Sequence, residues 1–156
     1  MGRLTAAITG KFLAFDTSPL IYYIEQHPQY SPITDDLFDT IHRGNARAMT
    51  SVLTLLEVLV QPLRSSRIDL AQEYRRILTR STGISLFPLD ADVCELSAKL
   101  RSNYHWIRTP DAIQVATALR HGAELIVTND ERWQRLTEIP VVILKDFLKP
   151  QPSPGS

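Results

Sequence analysis

In Phe12-Leu13-Ala14-Phe15-Asp16-Thr17-Ser18-Pro19-Leu20-Ile21, four apolar residues run straight into an aspartate, two hydroxyls and a proline. A short apolar run bounded by turn formers indicates a buried strand. Ser18 and Pro19 then have the chemistry of an N-cap and a first helical position, opening a helix through Ile21, Tyr22 and Ile24. The same succession of strand, acid and helix recurs downstream. A helix is expected near 33–42, ending at Gly44, and a strand over 46–50. The apolar segment 52–60 should be closed by Pro62, because proline lacks the amide hydrogen that a continuing helix needs. Residues 70–80 form an amphipathic helix and 84–89 a strand, after which Asp90 or Asp92 can cap a helix to about Asn103. Thr109 is the expected N-cap of the next helix, which His121-Gly122 ends, and strands follow over 124–128 and 141–144.

Strands alternating with helices predict an α/β fold, a three-layer α/β/α sandwich with a central, mostly parallel sheet. Right-handed crossovers place all strand carboxyl ends on one edge. Ligands of open α/β sheets bind beyond that edge, so the acids there carry the functional question.

Composition sets the outer bounds. The 156 residues are 44% hydrophobic and 22% charged, ordinary values for a globular protein. One domain is expected over 1–148, with the proline-rich 149–156 as a disordered tail that has nothing to bury. Lys and Arg number 17, as do Asp and Glu, and such a balance neither supports nor excludes nucleic acid. Cys94 is the only cysteine, so no intramolecular disulfide can form, in keeping with a reducing cytoplasm. No apolar run would span a bilayer, and residues 1–10 lack the pattern of a signal peptide. A cytoplasmic location is expected.

Each acid has a bland reading and a chemical one. Asp16 can be a turn residue that bonds nearby backbone. Asp130, after Leu125-Ile126-Val127-Thr128-Asn129, can cap a short helix near 132–136. Yet two aspartates at two parallel strand ends face the same crevice. Asp111 suits the first turn of its helix, where a negative charge gains roughly 0.3–1 kcal/mol from the dipole. Glu57 is the anomaly. It stands in Val52-Leu53-Thr54-Leu55-Leu56-Glu57-Val58-Leu59-Val60, apolar on nearly every face, and such a helix is normally buried. Glu57 must then have a salt-bridge partner, an exposed stripe shared with Gln61 and Arg64, or a cation.

One arrangement accounts for all four acids. Carboxylates gathered in a cleft repel by about 4 kcal/mol per pair at an effective dielectric of 20, so protons or cations must compensate. Mg²⁺ and Mn²⁺ prefer such oxygen ligands. One or two of them can neutralise the cluster, activate a water and steady the leaving oxygen of a phosphodiester. The four histidines, 27, 42, 105 and 121, lack zinc-ligand spacing, and there is no Walker loop or nucleophile elbow.

Phe15-Asp16-Thr17-Ser18-Pro19-Leu20-Ile21, Thr54-Leu55-Leu56-Glu57-Val58, Thr109-Pro110-Asp111-Ala112-Ile113-Gln114-Val115-Ala116-Thr117-Ala118 and Val127-Thr128-Asn129-Asp130 occur in that order. Together they resemble the PIN-domain family, over about 11–147, and within it the VapC-type toxins of toxin–antitoxin pairs. The resemblance implies Mg²⁺- or Mn²⁺-dependent cleavage of RNA. It implies Asp16, Glu57, Asp111 and Asp130 as catalytic, metal-binding acids, with Thr17, Ser18, Thr128 and Asn129 as supporting polar groups. It also implies a homodimer and a cognate antitoxin protein that occludes the cleft.

Other classes fit less well. A haloacid-dehalogenase-like phosphatase needs a second Asp where Ser18 stands, and a response-regulator receiver needs adjacent acids at the first strand end. A housekeeping RNA-processing nuclease, or a PIN-like module that binds RNA or protein without cutting, remains open. Trp106, Trp133 and Arg108 lie near the acids in sequence and could meet RNA, although Trp133 is equally suited to the core.

Overall fold

The computed structural model describes residues 2–149 and Gly155. The chain runs α1 (Arg3–Ile8), β1 (Phe12–Phe15), α2 (Thr17–Ile24), α3 (Ser31–His42), β2 (Arg47–Ser51), α4 (Val52–Arg64), α5 (Ile68–Arg80), β3 (Ile84–Phe87), α6 (Ala91–Asn103), α7 (Thr109–Arg120), β4 (Leu125–Thr128), a 3-10 turn (Glu131–Arg135), β5 (Val141–Ile143) and a second 3-10 turn (Leu144–Phe147). The five strands form one sheet in the order β3-β2-β1-β4-β5. Every pairing is parallel, so the expected mostly parallel sheet is parallel throughout.

Side chains alternate across the pleat, and the two faces build separate cores. Leu13, Phe15, Ala48, Leu125 and Val127 join Leu37, Phe38, Ile41, Tyr74 and Leu78 of α3 and α5. Phe15 meets Phe38 edge-on at 5.4 Å. On the other face Ala14, Met49 and Ile126 pack with Val93, Leu100, Val115 and Trp133. Each of the larger aliphatic and phenyl side chains contributes about 1.5–3 kcal/mol by leaving water. Helices thus cover both faces, giving the three-layer sandwich. Trp133, 1% exposed, belongs to the core rather than to any open surface.

Several local expectations need correction. Ser18 is not the N-cap of α2; Asp16 occupies that position, but its side chain makes no capping bond. Thr109 is already helical, and Arg108 holds the N-cap position of α7. Pro62 does not close its helix, which continues to Arg64. The proline falls in the last turn, where Arg67 N–H bonds the Pro62 carbonyl, so only one intrahelical bond is forgone. Helix α1 was not expected; Leu4 and Ile8 bury one side of this short segment, at 3% and 0% exposure.

The largest correction concerns α4. It buries Thr54 and Val58 but exposes Val52, Leu56, Val60 and Leu63, with Leu56 61% exposed. Their spacing of three and four residues lines them up along one side. Among the described residues nothing covers that apolar stripe, so Glu57 beside it is not enclosed as expected. The proposed tail lies outside the described residues, apart from Lys149 and Gly155. Among the described residues no helix is long and apolar enough to cross a membrane.

Candidate active-site cleft

Phe15 and Val127 are direct partners in adjacent parallel strands, so the chain leaves β1 and β4 side by side. That register brings Asp16 next to Thr128, and Asp130 lies two residues further on. Glu57 arrives from α4 and Asp111 from the third helical position of α7. All four acids line one cleft of about 680 Å³, together with Thr17, Ser18 and Asn129.

Three hydroxyls bond two of the acids directly. Thr128 Oγ1, fully buried, donates to Asp16 Oδ2 at 2.8 Å, and Ser18 Oγ donates to Oδ1 at 3.2 Å. Both Asp16 oxygens are therefore held, and the turn-capping alternative is not what its side chain does. Thr17 Oγ1 donates to Glu57 Oε2 at 3.5 Å. Asn129 spans the cleft wall: its Nδ2 donates to the Tyr22 hydroxyl at 3.3 Å, and its Oδ1 accepts the Lys145 amide at 3.0 Å. Asp130 caps the turn and also pairs with Arg132. Its Oδ1 caps the 3-10 turn through Arg132 N–H at 3.0 Å, while both oxygens take the Arg132 guanidinium.

These contacts divide the acids electrostatically. Burial pushes Asp16 up to about 7; the Thr128 and Ser18 hydroxyls oppose the rise, while Asp111 and Asp130 add to it. Burial also raises Asp111, with repulsion from Asp130 second. Glu57 is raised by partial burial and by Asp111, although the residue as a whole is exposed. Asp130 alone is lowered, because Arg132 bonds it. Three acids thus favour a proton or another cation.

The structure adds residues that sequence reasoning passed over. Arg132 reaches 2.6 Å from Asp130 and 3.9 Å from Asp111, and Lys145 pairs with Glu131 at 3.3 Å. Gln114 lines the floor, where its amide donates to Thr54 Oγ1 at 2.8 Å. Thr54 meets Thr50 at 2.7 Å, and Thr50 donates to the Phe15 carbonyl at 2.7 Å. A usable signal for Gln114 was its place three residues after Asp111, an amide among the mostly apolar residues Ala112–Ala118. Nothing local announces Lys145.

The Thr128 hydroxyl also accepts the Asp130 amide at 3.1 Å. Thr128→Val should therefore lower the unfolding free energy by about 1–3 kcal/mol, since it orphans buried polar groups. Thr128→Ser keeps the hydroxyl and should be the milder change in urea titrations. A valine variant as stable as wild type would mean that this hydroxyl holds nothing in place.

Residues 13–139 match the sequence model of the PIN domain. This chain belongs to the PIN-domain family. PIN domains are typically nucleases and usually depend on a metal. Solved structures with the same fold include VapBC2 from Rickettsia felis bound to a DNA fragment from its promoter, with 17% identity, a TM-score of 0.69, and coverage of 85% of this chain and 98% of the other. A toxin–antitoxin complex from Klebsiella pneumoniae has 23% identity and a TM-score of 0.66, covering 85% and 97%. FitAcB from Neisseria gonorrhoeae has 19% identity and a TM-score of 0.62, covering 85% and 98%. No curated protein matches the chain.

The donor set of this PIN domain suits a hard divalent cation. Its cleft offers carboxylate, amide and hydroxyl oxygens and neither histidine nor cysteine. Asp16 is desolvated enough to demand compensation. Among the described residues, however, no three potential ligands yet converge on one point. Arg132, forked onto Asp130, supplies positive charge there instead.

Proposed function

We propose that this PIN domain is a Mg²⁺- or Mn²⁺-dependent ribonuclease and the toxin of a toxin–antitoxin pair. The observation that carries the reading is the meeting of four acids from four separate segments in one cleft, with Asp16 pushed up to about 7. Asp16, Glu57, Asp111 and Asp130 would hold the metal, as one or two ions. When bound, a hard divalent ion supplies an activated water and charge stabilisation for a phosphodiester's leaving oxygen.

The chain's own groups prepare for that chemistry. Thr128 and Ser18 fix both oxygens of Asp16, so its carboxylate cannot swing into solvent. Below about pH 7 Asp16 retains a proton, which a cation must displace. Thr17 steadies Glu57, and Asn129 ties the end of β4 to Tyr22 and the Lys145 amide. Arg132 shields Asp130 from Asp111 and Asp16, limiting repulsion within the cluster.

Two features support a protein partner. The solved complexes of like fold include a toxin–antitoxin complex, and the α4 stripe of Val52, Leu56, Val60 and Leu63 is exposed. An apolar stripe of this kind favours a covering partner, here an antitoxin segment in a homodimeric, cytoplasmic assembly.

Expression of the wild-type chain alone should arrest growth of a bacterial host, and purified protein should cut RNA with Mg²⁺ or Mn²⁺ but not with EDTA. Asp111→Asn should relieve the arrest at equal soluble expression. Asn at Asp111 forgoes the dipole interaction, about 0.3–1 kcal/mol, and the long 3.9 Å contact with Arg132, while burial already disfavours the Asp111 charge, so the fold should tolerate it. Unimpaired growth with abundant soluble wild type would remove the toxin role. Absence of metal-dependent cleavage would remove the enzyme.

A further inference from the structure

The cleft is a poor landing place for a polyanion. Its acids are Asp16, Glu57, Asp111, Asp130 and Glu131, and its cations, Arg132 and Lys145, are already paired with carboxylates. A strand drawn into it needs anchorage outside. Beside it, the loop between α6 and α7 forms a second depression of about 510 Å³. Arg101, His105, Trp106 and Arg108 line it, with no carboxylate among the lining residues. Arg101 and Arg108 are exposed, and neither has a carboxylate within 4 Å among the described residues.

The two hollows adjoin. Pro110 lines the depression and its neighbour Asp111 lines the cleft. The Arg132 guanidinium, from the cleft wall, lies 5.8 Å from the centre of the Trp106 ring. Trp106 is half-buried and packs at its base against the α6–α7 core, with Tyr104 at 5.9 Å. Arg101 donates to Thr109 Oγ1 at 2.9 Å, which fixes one cation at the rim of α7.

We propose that this α6–α7 depression is a subsite for single-stranded RNA, in which Trp106 stacks on a base and Arg101 and Arg108 hold phosphates of the nucleotides beside the acidic cleft. A braced indole between unpaired cations matches how single strands are bound, by base stacking along a positive track. A protein segment would gain little from two solvated guanidiniums and would favour the apolar α4 stripe instead. The proposal rests on the ribonuclease reading only for the strand's onward course through the cleft.

The test separates the two. A short single-stranded oligoribonucleotide is titrated into the full chain in EDTA, which withholds the metal and so prevents cleavage, followed by anisotropy and by tryptophan emission. The chain has 2 tryptophans, and Trp133 is buried, so quenching on binding should come from Trp106. Trp106→Phe keeps the packing and should abolish the quenching, while Trp106→Ala should weaken binding at least about fivefold. Arg101→Gln with Arg108→Gln, both at exposed positions, should weaken binding at least about tenfold. The same pair should flatten the salt dependence by about 1.4 in log–log slope, at about 0.7 per phosphate contact on a single strand.

Quenching and salt effects as expected in a protein without metal-dependent cleavage would uphold the subsite and remove the nuclease. Cleavage with unchanged KM and oligonucleotide affinity in the Arg101→Gln, Arg108→Gln variant would overturn the subsite and leave the nuclease standing. Loss of a co-purifying protein from that variant, with RNA affinity intact, would also overturn it.

Discussion

Asp16→Asn should end metal-dependent cleavage and, at the same time, make the metal-free protein more stable above neutral pH. The sign follows from its pKa, which burial raises from the ordinary 3.8 to about 7. Between those values the native state binds a proton that the unfolded chain has already released. Stability therefore falls as pH rises from about 4 to about 7 and is level above. Asparagine carries no charge, so its profile lacks that fall. It can still accept from one hydroxyl and donate to the other, Thr128 or Ser18. At pH 8 the variant should gain roughly 2–4 kcal/mol at about 1.4 kcal/mol per pKa unit, and at pH 4 almost nothing. Urea unfolding at both pH values measures the difference. A variant less stable than wild type at pH 8, or one that still cuts RNA with Mn²⁺, would contradict the assignment.

Mn²⁺ should close most of that gap. A ligand confined to the native state stabilises it by about 2.7 kcal/mol at about 100 times its dissociation constant. Wild type should show that gain in thermal melts, and Asp16→Asn should lose most of it. Glu57→Gln should lose less, because Glu57 stands beside an open helix face and is not the enclosed carboxylate that its apolar neighbours suggested. In metal-free protein, Glu57→Gln should give only a small stabilisation by relieving repulsion from Asp111. Equal Mn²⁺ shifts in wild type and Asp16→Asn would place the ion elsewhere. Strong destabilisation by Glu57→Gln would show an ion pair in place of a metal ligand.

What the chain declares locally is what could be read without coordinates. Strands β1 and β4 are apolar runs cut by polar residues, so the positions of Asp16 and Asp130 followed from a few adjacent letters. Parallel topology then brought them together. Contacts between distant segments left no such mark. The Lys145 amide meets the Asn129 side chain across the sheet edge, and no period in the sequence connects them. The Arg132 fork depends on the Asp130 rotamer and the tight 3-10 turn. Apolar periodicity also misled at α4. A residue's hydrophobicity states what it would prefer to touch, not whether this chain supplies the partner. Leu56 and Leu63 are left for something else to cover.

The order of the sheet also fixes when the cleft can exist. Strand β1 sits in the middle, with β2 on one side and β4 on the other, and the Thr128–Asp16 hydrogen bond spans 112 residues of sequence. A chain growing from its amino end can join β1 to β2 and β3 early, closing comparatively short loops. It carries Asp16 and Glu57 at that stage, but neither the Thr128 clamp nor Asp130. The neighbour that completes the acid cluster is made only after the long α6–α7 excursion, and so large a loop closes late. Under the proposed function, truncated translation products would lack the complete acid cluster, and the interval in which a partner has to capture the emerging chain would begin only when β4 docks.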